Sequence, residues 1–166
     1  MAKSTLKGNP LHTSGELPKP GTDLSGLKVT KSDLSDATLA AWAGHKLVLN
    51  IFPSIDTSVC SQSVRQFNKE AAGLSGVHVL CVSMDLPFAL NRFCGAEGIK
   101  NVQTASAFRN PDFSAKLGVK IIDGGMAGLL ARSIVVLDEH GKVIYTELVP
   151  EIAQEPNYQA ALAAAR

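Results

Sequence analysis

Aromatic residues are scarce, at 5% of the 166 positions, with a single Trp. No stretch interleaves basic and aromatic side chains as a base-stacking surface requires. Neither charge is in excess: 16 Lys and Arg stand against 15 Asp and Glu, so neither nucleic acid nor an acidic membrane is implied as a partner. No apolar run is long enough to cross a bilayer. Met1 to Pro10 contain no apolar core of a secretory signal, so a reducing, cytoplasmic setting is expected. There are three Cys, at 60, 81 and 94, and no C-x-x-C pair. An odd number in such a compartment argues against a structural disulfide framework and leaves redox or catalytic use open. A zinc site is not expected, because the Cys are far apart and His12, His45, His78 and His140 show no ligand spacing with them. The glycines of Asp123 to Gly128 precede a predicted strand rather than a helix, and no phosphate-binding glycine motif is present, so no cofactor is expected.

What the chain does contain is organised around Asn50 to Gln62. Lys46 to Phe52 is an apolar run that reads as a strand buried on both faces. After it Val64, Phe67, Ala71 and Leu74 recur at helical spacing. Between them lie Pro53, a cap at Asp56, Thr57 or Ser58, and Cys60 in the first helical turn. First-turn amides carry partial positive charge, which favours thiolate over thiol, and the thiolate is the nucleophile. Cys60 falls on the Val64 and Phe67 side of the helix, so a pocket is expected around it. Taken alone, such a Cys reads more plainly as a buried filler.

The rest of the chain alternates. Thr5 to Thr13 reads as a small hairpin, Leu27 to Lys31 as extended, and Ser35 to Ala43 as one or two helical turns. A helix over 58–72 and a buried strand over Val77 to Met84 follow, the latter containing Cys81 as a small apolar filler. Pro87 to Glu97 is a helix opened by Pro and closed by Gly98, with Cys94 in its last turn. Val102 to Ala105 and Ser133 to Leu137 read as strands, Pro111 to Leu117 as a helix, Lys142 to Val149 as a hairpin return, and Pro156 to Arg166 as a terminal helix. This order predicts one α/β domain over residues 1–166: a thioredoxin-like fold, with a mixed central sheet flanked by helices and an N-terminal β-hairpin extension. Cys60 lies at the carboxyl end of a strand, where ligands of open α/β sheets bind.

Pro53, Thr57 and Cys60 stand in the Pro-x-x-x-Thr-x-x-Cys spacing of the peroxiredoxin active site. The longer run from Asn50 to Cys60, the Ser63 to Asn68 and Arg92 to Gly98 segments, and Ala131-Arg132 ahead of a strand resemble the bacterial thiol peroxidases, which are atypical two-cysteine peroxiredoxins. The resemblance covers essentially the whole chain; Ser58 stands where many members have Gly, with little consequence expected. It implies that Cys60 attacks the distal oxygen of a hydroperoxide and becomes a sulfenic acid. It implies that Thr57 hydrogen-bonds thiolate and peroxide, that Arg132 places a fixed charge beside both, and that Pro53 shields the sulfur. It implies that Cys94 resolves the sulfenic acid as an intramolecular disulfide, that thioredoxin reduces the disulfide, and that the protein is a homodimer.

The residue types suit that chemistry. A free thiol is only a few per cent ionised at neutral pH, and Arg presents several donors that do not deprotonate. A neighbouring thiol intercepts the sulfenic acid before irreversible oxidation. Two other classes remain as alternatives: a redox sensor or holdase using the same oxidation, and a dithiol oxidoreductase, which the missing C-x-x-C disfavours.

Overall fold

A computed structural model describes residues 1–166. Strands β1 (Lys3–Leu6) and β2 (Asn9–His12) form a separate antiparallel hairpin. Seven strands build the main sheet: β3 (Lys28–Lys31), β4 (Asp36–Thr38), β5 (Lys46–Ile51), β6 (Val77–Ser83), β7 (Gln103–Ser106), β8 (Ser133–Leu137) and β9 (Val143–Leu148). Their order is β4-β3-β7-β6-β5-β8-β9. The β5–β6 and β6–β7 pairs are parallel, and the other pairs are antiparallel. The helices are α1 (Ser58–Ala71), α2 (Pro87–Glu97), α3 (Pro111–Leu117) and α4 (Tyr158–Ala165). The expected mixed α/β sheet with an N-terminal hairpin is what the chain forms.

Alternation along the central strands separates two cores. Leu47, Leu49 and Ile51 of β5 face a cluster completed by Leu39, Trp42, Phe113 and Leu117. Val48 faces the other cluster, with Phe52, Ile55, Cys60, Val64 and Phe67 and with Ala161 and Leu162 of α4. Side chains two apart share a face of a strand, so a strand covered on both sides reads as an unbroken apolar run. Helix α1 buries Cys60, Val64 and Phe67, a stripe of helical period. Burying Phe67 completely contributes roughly 1.5–3 kcal/mol.

One element differs from expectation. Of the residues read as helical turns between Ser35 and Ala43, Asp36–Thr38 form β4, and only Leu39–Trp42 wind into a 3-10 helix. The reason is tertiary. Asp36, Ala37 and Thr38 pair with Thr30, Val29 and Lys28 of β3, and Asp36 accepts a hydrogen bond from Thr30 Oγ1 at 2.8 Å. The amides of Leu39 and Ala40 then donate to the carbonyls of Leu27 and Ser25. Local helix propensity yields to strand pairing at the sheet edge.

The hairpin is tied to the body behind the site. Ser4 Oγ donates to the Val149 carbonyl at 2.9 Å, and the Ile152 amide donates to the Thr5 carbonyl at 2.7 Å. His12 Nδ1 lies 2.6 Å from Asp123 Oδ2. No helix is long and apolar enough to cross a membrane.

Candidate active site

Strand β5 ends at Ile51, and Phe52 and Pro53 lead buried into the loop before α1. Thr57 caps α1 with extended backbone (φ −91°, ψ 147°), and its side chain makes no capping bond. Its hydroxyl donates instead to the Ser54 carbonyl at 3.1 Å. Cys60 follows in the first turn with no exposed surface. Its sulfur is thus placed by a strand end, a tight loop and a helix start.

Arg132 reaches that sulfur from across the sheet. It precedes β8, which pairs antiparallel with β5 and sets Ser133 opposite Ile51. Arg132 is 1% exposed, among the most enclosed large side chains of the protein. Its Nη2 donates to Cys60 Sγ at 3.2 Å. Its Nε donates to the Ile152 carbonyl at 2.8 Å, and Nη1 has no partner. A guanidinium buried without a carboxylate is costly unless something anionic faces it. The Cys60 sulfur is the group that faces it. The Ile152 carbonyl is itself fixed through the Ile152 amide bond to Thr5, so the hairpin extension supports the angle of Arg132.

Cys94 is on α2, half-buried, and Cys60, Cys81 and Cys94 are all free thiols. Cys94 lines a cleft of about 510 Å³ with Asn91, Trp42, Gln103 and Thr104. Burial raises its pKa above the usual thiol value, and a hydrogen bond from Thr104 partly offsets this. Cys81 is fully enclosed in β6, and burial pushes its thiol up to about 12. Such a thiol is inert at neutral pH, in keeping with a filler.

The α2 terminus that carries Cys94 is held lightly. Gly98 closes the helix in left-handed conformation (φ 65°), and its amide donates to the Cys94 carbonyl. The Ile99 amide donates to the same carbonyl at 3.0 Å. Exposed ion pairs link α2 to the Cys60 side: Arg92 with Asp56 at 2.9 Å, and Arg65 with Glu97 at 2.7 Å. Arg65 also lies over the Phe93 ring at 5.4 Å and holds the Glu97 carboxyl below its usual value.

The structure therefore brings Cys60 and Arg132 together, buries Pro53 in the loop that leads to α1, points the Thr57 hydroxyl at the loop backbone, and keeps Cys94 as a separate thiol. Two supporting groups escaped the sequence reading. Asn50, buried in β5, donates to Ser63 Oγ at 3.1 Å, and Ser63 Oγ donates to the Cys60 carbonyl at 2.7 Å. Asp85, after β6, accepts from Ser54 Oγ at 2.8 Å and from the Ile55 amide at 2.7 Å. A polar residue inside an apolar strand was a usable signal for Asn50. Nothing local marks Asp85 as a site residue, since the loop groups it holds, Ser54 and Ile55, lie 31 and 30 residues away.

The chain matches the Redoxin family over residues 12–162. It is 58% identical over 164 residues to a thiol peroxidase of Mycobacterium tuberculosis, covering 99% of this chain and 98% of that one. It is 53% identical over 164 residues to a thiol peroxidase of Corynebacterium glutamicum, covering 99% of both chains. Among solved structures, a peroxiredoxin-like protein from Aquifex aeolicus superposes with a TM-score of 0.91 at 41% identity, over 99% of this chain and 96% of that one. A thiol peroxidase from Chromobacterium violaceum shares the fold, with a TM-score of 0.89 at 19% identity over 98% and 95% of the two chains. With a buried thiol facing a buried guanidinium at the head of α1, the chain belongs to the redoxin family and, within it, to the thiol peroxidases, which are peroxiredoxin enzymes.

Proposed function

We propose that the protein, acting as one unit over residues 1–166, reduces hydrogen peroxide and organic hydroperoxides through Cys60 and Cys94. The Cys60 thiolate attacks the distal peroxide oxygen. An S–O bond forms, the O–O bond breaks, and the leaving oxygen departs as water or alcohol after taking a proton. Cys60 is now a sulfenic acid. The Cys94 sulfur attacks it, the disulfide forms, and water leaves. Thioredoxin supplies the two electrons that restore both thiols.

The observation that carries this reading is the 3.2 Å contact from Arg132 Nη2 to Cys60 Sγ, with Nη1 unpartnered in the same buried place. One donor holds the nucleophile, and the other is free for the oxygen on which negative charge develops. A preorganised donor at that atom lowers the barrier. Pro53 limits water at the sulfur, and the Thr57 hydroxyl turns from the Ser54 carbonyl to the peroxide when substrate enters. Cys94 is reached by unwinding the first turn of α1 and the end of α2, because a disulfide needs Cα atoms within about 7 Å. The cap of Gly98 and the exposed ion pairs support this, since both are cheap to release. A reducing, cytoplasmic compartment fits a disulfide that must reopen at each turnover.

A homodimer agrees with the exposure of Leu86, Phe88 and Phe108, which follow the carboxyl ends of β6 and β7 in the chain. Sedimentation of the purified chain tests it, and a monomer at micromolar concentration would remove it. The function is tested by peroxide consumption coupled to thioredoxin and its reductase, comparing hydrogen peroxide with bulky alkyl hydroperoxides. Cys60→Ser is expected to abolish turnover. Cys94→Ser is expected to retain the first oxidation and lose thioredoxin-dependent cycling. Parent-like cycling by Cys60→Ser would overturn the assignment.

A further inference from the structure

We propose that Asp85 is a positioning residue that latches the segment Pro53 to Thr57 over the Cys60 sulfur, an inference that rests on Cys60 being the reacting group. Asp85 follows β6, the parallel neighbour of β5. Its Oδ1 accepts from Ser54 Oγ at 2.8 Å, and its Oδ2 accepts from the Ile55 amide at 2.7 Å and from Ser83 Oγ at 2.6 Å. The Asp85 amide donates to Ser83 Oγ at 3.2 Å, and the Asp85 carbonyl accepts from Ser106 Oγ on β7. Asp85 is thus anchored on two strands, its backbone carbonyl on β7 and its carboxylate and amide on β6, and the carboxylate grips the loop that follows a third.

What the grip controls is the apolar cover of the enclosed sulfur. Ile55 is 1% exposed and packs in the same apolar cluster as Phe52 and Cys60. Its amide, two residues before Thr57, is the one that Asp85 takes. Ser54, the other latched residue, supplies the carbonyl on which the Thr57 hydroxyl rests. Without the latch, Pro53, Ile55 and Thr57 lose their fixed place at the head of α1, while α1 and Arg132 keep theirs.

The latch has opposing effects on two reactions of the same sulfur. Reaction with peroxide needs aligned donors, and misplacement by an ångström costs on the order of 100-fold. Alkylation by iodoacetamide needs access rather than a donor constellation. Loosening the cover therefore slows the first and speeds the second. The experiment uses the full chain with Asp85→Ala and Asp85→Asn. Cys60 oxidation by hydrogen peroxide is followed in single turnover, and iodoacetamide labelling of Cys60 is read by peptide mass spectrometry.

For Asp85→Ala the peroxide rate is expected to fall about 10- to 100-fold, while Cys60 labelling accelerates. Asp85→Asn keeps one oxygen for the Ile55 amide and offers an N–H to Ser54 Oγ, so it is expected to stay close to the parent on both readouts. Ser54→Ala removes one donor to Asp85 and the acceptor of the Asp56 amide, keeps the Ile55 bond, and gives a smaller shift in the same two directions, which covers the case that Asp85→Ala does not fold. Two rates that fall together, two unchanged rates, or an Asp85→Asn as impaired as Asp85→Ala would each overturn the latch. The Cys60→Ser control keeps the two ideas apart: turnover without Cys60 overturns the site, not the role of Asp85.

Discussion

Replacing Arg132 by Met keeps an unbranched stem in the space and removes the guanidinium. In the folded protein this deletes the 3.2 Å contact to Cys60 Sγ and the 2.8 Å bond to the Ile152 carbonyl. Two unit charges 3.2 Å apart interact by about 5 kcal/mol at an effective dielectric constant of about 20. Desolvation of both partners takes back a large part. A charge-assisted hydrogen bond nets roughly 1.5–3 kcal/mol, or a factor of about 10 to 150 in a step that depends on it. Loss of a donor to the departing oxygen adds its own effect, on the order of 100- to 1000-fold for an oxyanion-type donor. The second-order rate of Arg132→Met with hydrogen peroxide is therefore expected to fall at least about 100-fold, and iodoacetamide labelling of Cys60 at neutral pH about 10-fold or more. Stability should change little, because the variant also removes a buried charge whose Nη1 has no partner. Stopped-flow oxidation, alkylation kinetics and thermal unfolding of the same preparation measure all three. A parent-like peroxide rate and a parent-like alkylation rate in a folded variant would refute the role assigned to Arg132.

Cys81 gives a pH prediction of known sign. Its folded pKa of about 12 lies above the ordinary value of 9.0, so the unfolded chain binds fewer protons above pH 9. The stability this thiol contributes is complete below pH 9 and declines towards pH 12, by about 1.4 kcal/mol per pH unit. Urea titrations at pH 7 and 10 should show a smaller alkaline loss for Cys81→Ala than for the parent, and equal losses would contradict it. Catalysis by a folded Cys81→Ser should remain near normal in the coupled assay; a large loss would mean that the resolving thiol is misassigned. Hydrogen exchange on reduced and oxidised protein should differ at residues 58–64 and 90–98 and agree across β5 and β6; identical protection at both segments would exclude local unwinding. Trp42 Nε1 donates to Gln103 Oε1 at 2.8 Å and lines the cleft that holds Cys94, so fluorescence of this single Trp should change on oxidation. A Cys94→Ser protein that shows the full fluorescence change would detach the signal from disulfide formation.

The parts of the fold that were readable are those whose cause is local. Helix α2 runs from Pro87 to Glu97, as expected, because Pro opens it and the left-handed Gly98 closes it. Strand β5 and helix α1 were readable because their apolar periods differ, and the change of period falls at Pro53. Strand β4 was not, since Asp36–Thr38 acquire their conformation from pairing with β3 and carry no strand pattern of their own. In the site, Cys60 and Arg132 were singled out by the motifs that carry the family resemblance, since taken alone Cys60 reads as a buried filler. The Ile152 carbonyl that orients Arg132 is a backbone group, and any residue type supplies one. Asp85 acts on Ser54 and Ile55 only after the β5–α1–β6 crossover has formed, so its role lies in topology rather than in spacing.

The cap at the end of α2 also sets a dose. Under the proposed mechanism, each sulfenic acid at Cys60 faces a race between closure by Cys94 and attack by a second peroxide, which ends irreversibly. Closure is first-order and its speed depends on how readily the α2 terminus opens, whereas the competing loss grows with peroxide concentration. Their ratio defines a concentration above which the enzyme consumes itself. The Cys94 carbonyl is held by the Gly98 and Ile99 amides, with Gly98 in a conformation that side chains resist. Open space surrounds the Cα of Gly98, so a Gly98→Ala variant meets backbone strain and no steric clash. That strain weakens the cap and raises the ceiling of tolerated peroxide, so one glycine at the end of α2 tunes how much oxidant the protein survives.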